Sequence, residues 1–276
     1  MPMIETDDGT ALYLKEWGNG PPVVLIHGWP LSADSWDDQA MALAEHGYRV
    51  IAYDRRGFGR SDQPWDGYDY DTLADDLAAV IEACDAANPA LVGFSMGGGE
   101  VARYLTRHGG GEGGGVRKVA LISSVVPFLL QTPDHPEGAP QSVFDEMTDG
   151  IEKDRADFFK GFFKDFYGIG LISHPVSDAH LEWSSQIALQ AGLKGTIDCL
   201  TAFSSTDFRP DLAAFTMPTL IIHGTDDKTV PIDITARAAA KAIPHAQLIE
   251  YDGAAHGLLA SHKDSVTADL IAFLDR

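Results

Sequence analysis

The strongest chemical signal in the sequence is the run Gly93-Phe94-Ser95-Met96-Gly97, which fits the pattern G-x-S-x-G. An apolar run precedes Ser95 and a helical pattern follows it, so the serine would lie on a sharp strand-to-helix turn. Glycines two residues before and after it remove side chains that would collide across that turn. The helix that begins behind the serine supplies free amides and a positive dipole end. The pattern predicts that Ser95 is a nucleophile rather than a purely structural serine.

A serine hydroxyl needs a base, so a histidine and a carboxylate are expected further along the chain. In folds that carry this turn, the chain order is serine, acid, histidine. His256 follows the last predicted strand and is the predicted base. The strand before that one is followed by two adjacent aspartates, Asp226 and Asp227, and local chemistry alone allows either to orient the imidazole. His223 ends this strand and is predicted to be structural.

Acyl transfer also needs donors for the developing oxyanion. One predicted donor is the amide of Met96, the residue after the nucleophile. The second should lie in the loop after the first long parallel strand, which reads His27-Gly28-Trp29-Pro30. Trp29 keeps its backbone N–H, whereas Pro30 has none, so Trp29 is the predicted donor. His27 is expected to brace this loop rather than to take part in the reaction.

The elements that would position these residues follow an alternating β/α pattern. Short apolar runs bounded by turn residues are typical of strands buried on both faces of a parallel sheet. The sequence therefore predicts an α/β fold, with a mostly parallel sheet, helices on both faces and an antiparallel hairpin at residues 3–6 and 11–17. The predicted strands are 23–27, 49–53, 90–94, 119–123, 219–223 and 247–251, and the predicted helices are 36–45, 70–84, 96–107, 232–242 and 260–274.

The alternation stops between residues 129 and 216, where phenylalanines recur with helical spacing and no strand is evident. We interpret 129–216 as a helical cap inserted within one domain, whose core comprises 1–128 and 217–276. Phe144, Phe158 and Phe162, with Pro30, are predicted to line an apolar acyl pocket, although each phenylalanine could equally belong to the core of the cap. The glycine-rich run 109–115 is predicted to be a flexible surface connection.

Composition limits the partners and the compartment. The net charge is −21, with 30 Asp, 11 Glu and 9 Lys, so nucleic acid and anionic membranes are not expected partners. This acidity fits either adaptation to high salt or an ordinary acidic cytosolic enzyme. No apolar run approaches the ~20 residues of a membrane span, and no signal peptide is recognisable. Cys84 and Cys199 are expected to be free thiols, and a cytoplasmic location is predicted.

The motifs resemble the α/β-hydrolase superfamily and, within it, the aryl esterase and cofactor-free (non-haem) haloperoxidase group. In that group the acid stands three residues after the strand-ending His-Gly, which corresponds to Asp227. The family's Asp-Arg-Arg-Gly turn is structural, so Arg55 and Arg56 are left out of the chemistry. The segments that carry the resemblance are His27-Gly28-Trp29-Pro30, Tyr53-Asp54-Arg55-Arg56-Gly57-Phe58-Gly59-Arg60-Ser61, Gly93-Phe94-Ser95-Met96-Gly97-Gly98-Gly99, Thr206-Asp207-Phe208-Arg209 and the loops of Asp227 and His256.

The resemblance implies hydrolysis of small aryl and alkyl esters through an acyl-enzyme, with hydrogen peroxide able to replace water. It also leaves open a lactone or γ-lactam hydrolase using the same residues, and a receptor that binds a ligand without turnover is a further alternative. No cofactor is implied and no metal site is expected, because the sequence lacks H-E-x-x-H and its histidines do not cluster like ligands. The expected partner is a small ester, and a homo-oligomer is left open.

Overall fold

The chain folds around a mixed sheet, seen in a computed structural model that describes residues 2–109 and 115–276. Within those residues the sheet has eight strands in the order β1-β2-β4-β3-β5-β6-β7-β8. The first two strands form the predicted antiparallel hairpin, and β3 to β8 run parallel. The strands are β1 (Met3–Glu5), β2 (Ala11–Trp17), β3 (Pro22–Ile26), β4 (Arg49–Tyr53), β5 (Ala90–Phe94), β6 (Lys118–Ile122), β7 (Thr219–Gly224) and β8 (Gln247–Tyr251).

Helices cover both faces of this sheet, which confirms the predicted fold class. Every residue of β5, β6 and β7 is buried, as expected for central strands covered on both sides. Within the described ranges, none of the helices is long and apolar enough to cross a bilayer. They are α1 (Asp37–Glu45), α2 (Tyr70–Ala83), α3 (Met96–His108), α4 (Gln141–Tyr167), α5 (Asp178–Gln190), α6 (Leu193–Ser205), α7 (Ala236–Ala242), α8 (Leu258–Ser261) and α9 (Lys263–Leu274).

Three predicted helices agree with the structure to within one residue at each end, and the other two differ by more. The helix expected at 232–242 begins only at Ala236, because Thr235 has non-helical torsions of φ −120° and ψ −93°. The segment before it, from Ile232 to Thr235, forms a turn in which the Arg237 amide donates to the Ile232 carbonyl at 3.0 Å. The helix expected at 260–274 is divided into α8 and α9 at His262, whose φ of −130° and ψ of 33° interrupt the helical hydrogen bonds.

The segment 129–216 is helical, as its spacing predicts. It contains α4, α5 and α6, followed by a 3₁₀ helix at Arg209–Ala214. The long helix α4 bends at Asp154 and packs against α5 and α6. The division into a core (1–128 and 217–276) and an inserted cap stays a prediction. Residues 110–114 of the glycine-rich run lie outside the described residues. Both cysteines are free and buried, as expected.

The excess of carboxylates leads to a prediction about salt. With a net charge of −21, repulsion among carboxylates should destabilise the folded state in dilute buffer. Raising sodium chloride shortens the Debye length from about 10 Å at 0.1 M to about 3 Å at 1 M. We therefore expect the Tm to increase with salt, measured by differential scanning fluorimetry. If screening of the carboxylates is the cause, most of the increase in Tm should occur below about 0.5 M sodium chloride. An increase in Tm at higher concentrations would instead reflect exclusion of salt from the protein surface. A Tm that stays constant or falls as sodium chloride increases would support the alternative, an ordinary acidic cytosolic enzyme.

Candidate active site

Ser95 lies on the predicted sharp turn, between the end of β5 and the start of α3. Its backbone is left-handed, with φ 53° and ψ −119°, which is an uncommon conformation for a non-glycine residue. The glycines around it are required by close contacts. A Cβ at Gly93 would lie 2.6 Å from the Gly97 carbonyl oxygen, and one at Gly97 would lie 2.5 Å from that of Ile26. The turn therefore presents the serine hydroxyl while the backbone is tightly packed beneath it.

Three side chains from distant parts of the chain form one hydrogen-bonded series. His256 Nε2 lies 2.9 Å from Ser95 Oγ, and His256 Nδ1 lies 2.7 Å from Asp227 Oδ2. Burial raises the pKa of Asp227, but the His256 charge and the N–H groups of His223 and His256 outweigh it and hold that pKa well below its usual range. An ionised carboxylate only accepts, so Nδ1 carries a proton and Nε2 can accept the serine proton.

The structure distinguishes the two adjacent aspartates. Asp227 is buried, and its Oδ1 accepts hydrogen bonds from the amides of Thr229 at 3.0 Å and Val230 at 2.8 Å. These bonds turn the other carboxylate oxygen towards His256. Asp226 has a side chain that is 62% exposed and lies 3.9 Å from Lys228 Nζ. The carboxylate that faces the imidazole is thus that of Asp227.

Two aromatic rings pack against His256, and sequence reasoning missed Phe166. Phe94 and Phe166 lie against the imidazole, with ring centroids 5.3 Å and 4.8 Å away. The Phe166 carbonyl also accepts from the Gly257 amide at 2.8 Å, so the end of α4 is tied to the histidine loop. Phe166 continues the i, i+4 series of Phe158 and Phe162, and that spacing was the available signal.

The loop that carries Trp29, one of the two predicted oxyanion donors, lies against Ser95, and the other predicted donor, Met96, follows Ser95 in the chain. A Cβ at Gly28 would be 2.9 Å from Ser95 Cβ, which places the loop after β3 against the nucleophile. The Gly28 carbonyl accepts from the Leu31 amide at 2.9 Å and lies 2.9 Å from His27 Nδ1. In the part of the chain that the structure describes, the amides of Trp29 and Met96 donate to no other group. Both N–H groups are therefore free for a ligand.

With this geometry established, the chain can be compared with known proteins. Residues 21–263 match the model of the family described as the alpha/beta hydrolase fold. The chain belongs to this family. It is 41% identical to a non-heme chloroperoxidase of Kitasatospora aureofaciens, over 100% of both chains. It is 39% identical to a bifunctional esterase/perhydrolase of Acinetobacter calcoaceticus, over 99% of both. The crystal structure of a bromoperoxidase from Bacillus anthracis superposes with a TM-score of 0.95 and 45% identity, covering 100% of this chain and 99% of the other.

A buried ion pair of this α/β hydrolase contacts the loop of residues 27–30 that follows β3. Arg55 and Glu100 are fully buried and paired, and the Tyr53 hydroxyl donates to Glu100 at 2.7 Å. Arg55 also donates to the His27 carbonyl at 2.6 Å, and its amide donates to His27 Nε2 at 3.0 Å. His27 therefore carries its proton on Nδ1, and burial with the Arg55 charge holds its pKa well below its usual value. His27 supports the loop as a neutral donor to Gly28.

Of the side chains predicted to line an acyl pocket in this hydrolase, Phe144 is buried, and Phe158 and Phe162 pack against each other. The Trp29 indole donates to the Thr196 carbonyl at 2.9 Å and packs edge-on against Phe162, with centroids 5.3 Å apart. Phe158 stacks on Phe162 at 5.9 Å, and Phe144 is buried. The peptide bond between Trp29 and Pro30 is cis. Trp29, Phe162 and Phe158 thus form a continuous series of ring contacts.

A cavity of about 280 Å³ lies beside the histidine loop. Phe94 and Phe166, which contact His256, form part of its wall. Pro30, Phe144, Phe158 and Phe162 are not among its lining residues, so their role in an acyl pocket stays a prediction. Among the described residues, no group of three or more His, Cys, Asp or Glu side chains is arranged to hold a metal ion.

Proposed function

We propose that this α/β hydrolase cleaves small aryl and alkyl carboxylic esters through an acyl-enzyme on Ser95. The observation that carries the proposal is the buried hydrogen-bonded series from Ser95 Oγ through His256 to Asp227, at 2.9 Å and 2.7 Å. This is the arrangement that a serine nucleophile needs: a base within reach of the hydroxyl, and a carboxylate that fixes the tautomer of the base.

The reaction begins when Ser95 Oγ attacks the ester carbonyl and His256 Nε2 takes the hydroxyl proton. Asp227 stabilises the imidazolium that forms. The amides of Trp29 and Met96 bind the oxyanion, each contributing about 2.7–4 kcal/mol to transition-state stabilisation. The intermediate then expels the alcohol, which receives its proton from His256. Water, deprotonated by the same histidine, attacks the acyl-enzyme and releases the carboxylic acid and free serine.

Hydrogen peroxide can take the place of water in the last step. Its oxygen attacks the acyl carbonyl, the serine leaves, and the product is a peracid, which can then oxidise a halide to hypohalous acid and return to the carboxylic acid. The full-length similarity to a bifunctional esterase/perhydrolase and to a non-heme chloroperoxidase supports this side activity. Each step uses the serine, the histidine and the two amides, so the proposed reaction requires no cofactor.

The test is a substrate panel assayed with and without hydrogen peroxide. It contains p-nitrophenyl acetate, short alkyl esters, a lactone and a γ-lactam. We expect the esters to be turned over fastest and peracetic acid to form from acetate esters when peroxide is present. Faster turnover of the lactone or γ-lactam would move the proposal to that substrate class, and binding without any turnover would support the receptor. We also propose a cytoplasmic location, with a small-molecule ester as the partner.

Pro30 is expected to favour peroxide over water. A proline fixes its own φ and restricts the preceding residue, so the Trp29 carbonyl is held in one orientation. That carbonyl could accept a hydrogen bond from the distal OH of the attacking peroxide, a group that water lacks. One ordinary hydrogen bond is worth about 1 kcal/mol, so Pro30→Leu should lower the ratio of perhydrolysis to hydrolysis several-fold. Peracetic acid formation and ester hydrolysis are measured in the same preparation.

The control for this variant is Pro133→Leu, because Pro133 is exposed in the segment before α4. It should leave both rates unchanged. Esterase activity should largely survive in Pro30→Leu, since the Trp29 N–H is retained. An unchanged ratio, or no peracid from the wild type, would show that Pro30 only stiffens the loop.

A further inference from the structure

His223 is buried at the end of β7, and the proposed mechanism does not use it. We infer that His223 is a positioning residue that tunes His256 as a base by donating towards the Asp227 carboxylate. The inference rests on the proposed function, because it assigns a task within the same hydrogen-bonded series. It concerns the strength of the base and does not change which residue is the nucleophile.

The geometry places two imidazoles on one carboxylate oxygen. His223 Nε2 lies 3.1 Å from Asp227 Oδ2, the oxygen that His256 Nδ1 contacts at 2.7 Å. The same Nε2 lies 2.8 Å from the carbonyl oxygen of Val230. The side chains of His223 and Asp227 are both fully buried, so solvent does not screen their interaction. The Nε2–H of His223 is thus hydrogen-bonded to the Val230 carbonyl, and the Asp227 oxygen lies beside the same N–H edge at ion-pair distance.

The contacts also determine the protonation state of His223. A carbonyl oxygen only accepts, so the nitrogen facing Val230 carries a proton. His223 Nδ1 is buried and has no hydrogen-bond partner among the described residues. A buried N–H without an acceptor would be costly, so Nδ1 is unprotonated and the ring is neutral. His223 is therefore a neutral donor that adds no charge to the site.

Other charged groups near His223 are already paired with one another. Glu250 stands opposite it on β8, and its carboxylate accepts from Arg237 at 2.8 Å and 2.6 Å. On the other side, the end of β6 continues into uncharged Ser123, whose amide donates to the Ile222 carbonyl at 2.9 Å. The ionised group that faces the ring directly is Asp227, and His256 lies beyond it on the same carboxylate oxygen.

The neutral N–H of His223 weakens the attraction between the Asp227 carboxylate and protonated His256. The N–H of His223 stabilises the Asp227 carboxylate and draws electron density from the oxygen that faces His256. The carboxylate then attracts the imidazolium less strongly, so the proton passes more readily to the leaving alcohol. Without this donor, His256 should retain its proton to higher pH and deliver it more slowly. A residue that served packing alone would leave this pH dependence unchanged.

The test is the pH profile of kcat/KM for p-nitrophenyl acetate, whose acid limb reports protonation of the base in the free enzyme. In His223→Leu we expect the midpoint of that limb to rise by about half to one pH unit. For a short alkyl ester, whose leaving alkoxide needs the His256 proton, the plateau kcat should fall roughly tenfold while KM changes less than about twofold. His223→Gln carries an amide N–H at a reach similar to that of Nε2, so its midpoint should stay within about 0.2 pH units of wild type.

The matched control is His245→Leu. His245 also contacts a carbonyl, that of Met217 at 2.9 Å, but it is exposed and makes no hydrogen bond to Asp227 among the described contacts. Its activity and pH profile should match those of wild type. An unchanged midpoint in His223→Leu, or equal shifts in the Leu and Gln variants, would overturn the inference.

If His223→Leu does not fold, His223→Asn takes its place, because the shorter amide cannot reach the carboxylate. The downfield proton resonance of the hydrogen bond between His256 and Asp227 then provides a second measurement. The chemical shift of this resonance should change in His223→Asn and stay near the wild-type value in His223→Gln. An identical chemical shift in the wild type and both variants would overturn the inference. Failure of the proposed function would appear separately, as ester turnover that survives Ser95→Ala.

Discussion

Replacing Ser95 by alanine should reduce hydrolysis of p-nitrophenyl acetate by about 10⁴-fold or more, because the members of a triad act as a unit. The variant loses the atom that attacks the carbonyl, while His256 and the two free amides remain. The fold should be retained, since the surrounding glycines, and not the hydroxyl, allow the tight packing of the turn. Activity is measured as kcat/KM, and folding is checked by circular dichroism.

Two controls make the serine assignment decisive. Ser185→Ala removes a hydroxyl that donates to the Leu181 carbonyl on α5, and it should leave activity unchanged. A serine-directed phosphonate should label the wild type and Ser185→Ala at one residue, and it should not label Ser95→Ala. If the Ser95 variant kept a tenth of the wild-type activity, Ser95 would not be the nucleophile and the proposed function would fail.

Asp227→Asn is expected to lower kcat by about 10⁴-fold, as in the known case of a triad aspartate replaced by asparagine. The amide N–H₂ of the new side chain would face His256 Nδ1 and favour the tautomer protonated on Nε2. That tautomer cannot accept the Ser95 proton, although the spacing of the side chains would be preserved. The variant should therefore bind substrate normally, with the loss in kcat.

The adjacent aspartate supplies the matched control. Asp226→Asn removes the same charge one residue earlier, but its side chain is 62% exposed and its nearest cation is Lys228 at 3.9 Å. An exposed ion pair of this kind contributes little, so kcat should stay within about twofold of wild type. Each variant loses one negative charge, so comparing their kcat values removes the effect of net charge. The reverse ranking would move the acid to Asp226 and contradict the geometry described above.

Local signals in the sequence predicted Ser95 as the nucleophile and His256 as the base, and the structure places the two side chains 2.9 Å apart. A Cβ at Gly93 would collide with Gly97 within the turn, whereas one at Gly97 would collide with the Ile26 carbonyl on the neighbouring strand, yet both requirements appear in one short motif. His256 follows from the rule that loops after parallel strands gather at one edge of the sheet. The fold class follows from the alternation of buried strands and amphipathic helices. Each of these is a property of chain order or of residues close together in sequence.

Choosing Asp227 over Asp226 needed more than local chemistry. The two residues are identical in type and adjacent, and the resemblance to known hydrolases decided between them at the sequence level. In the structure the physical reason is a backbone one, because the Thr229 and Val230 amides bind one oxygen of Asp227 and turn the other towards His256. Main-chain hydrogen bonds of this kind leave no trace in residue type or spacing.

The remaining features depend on contacts between residues far apart in the chain, so only the tertiary structure could decide them. Phe166 reaches His256 because the end of α4 packs on a loop 90 residues later. The buried Arg55–Glu100 pair holds the loop after β3 through the His27 carbonyl. His223 lies only four residues before Asp227, but its ring and that of His256, which is 33 residues later, meet at the same oxygen of Asp227. The sequence by itself determined the reactive residue types and the order of the elements that carry them. How buried groups share donors and acceptors was decided by packing, because hydrogen-bond partners depend on distance in space and not on distance along the chain.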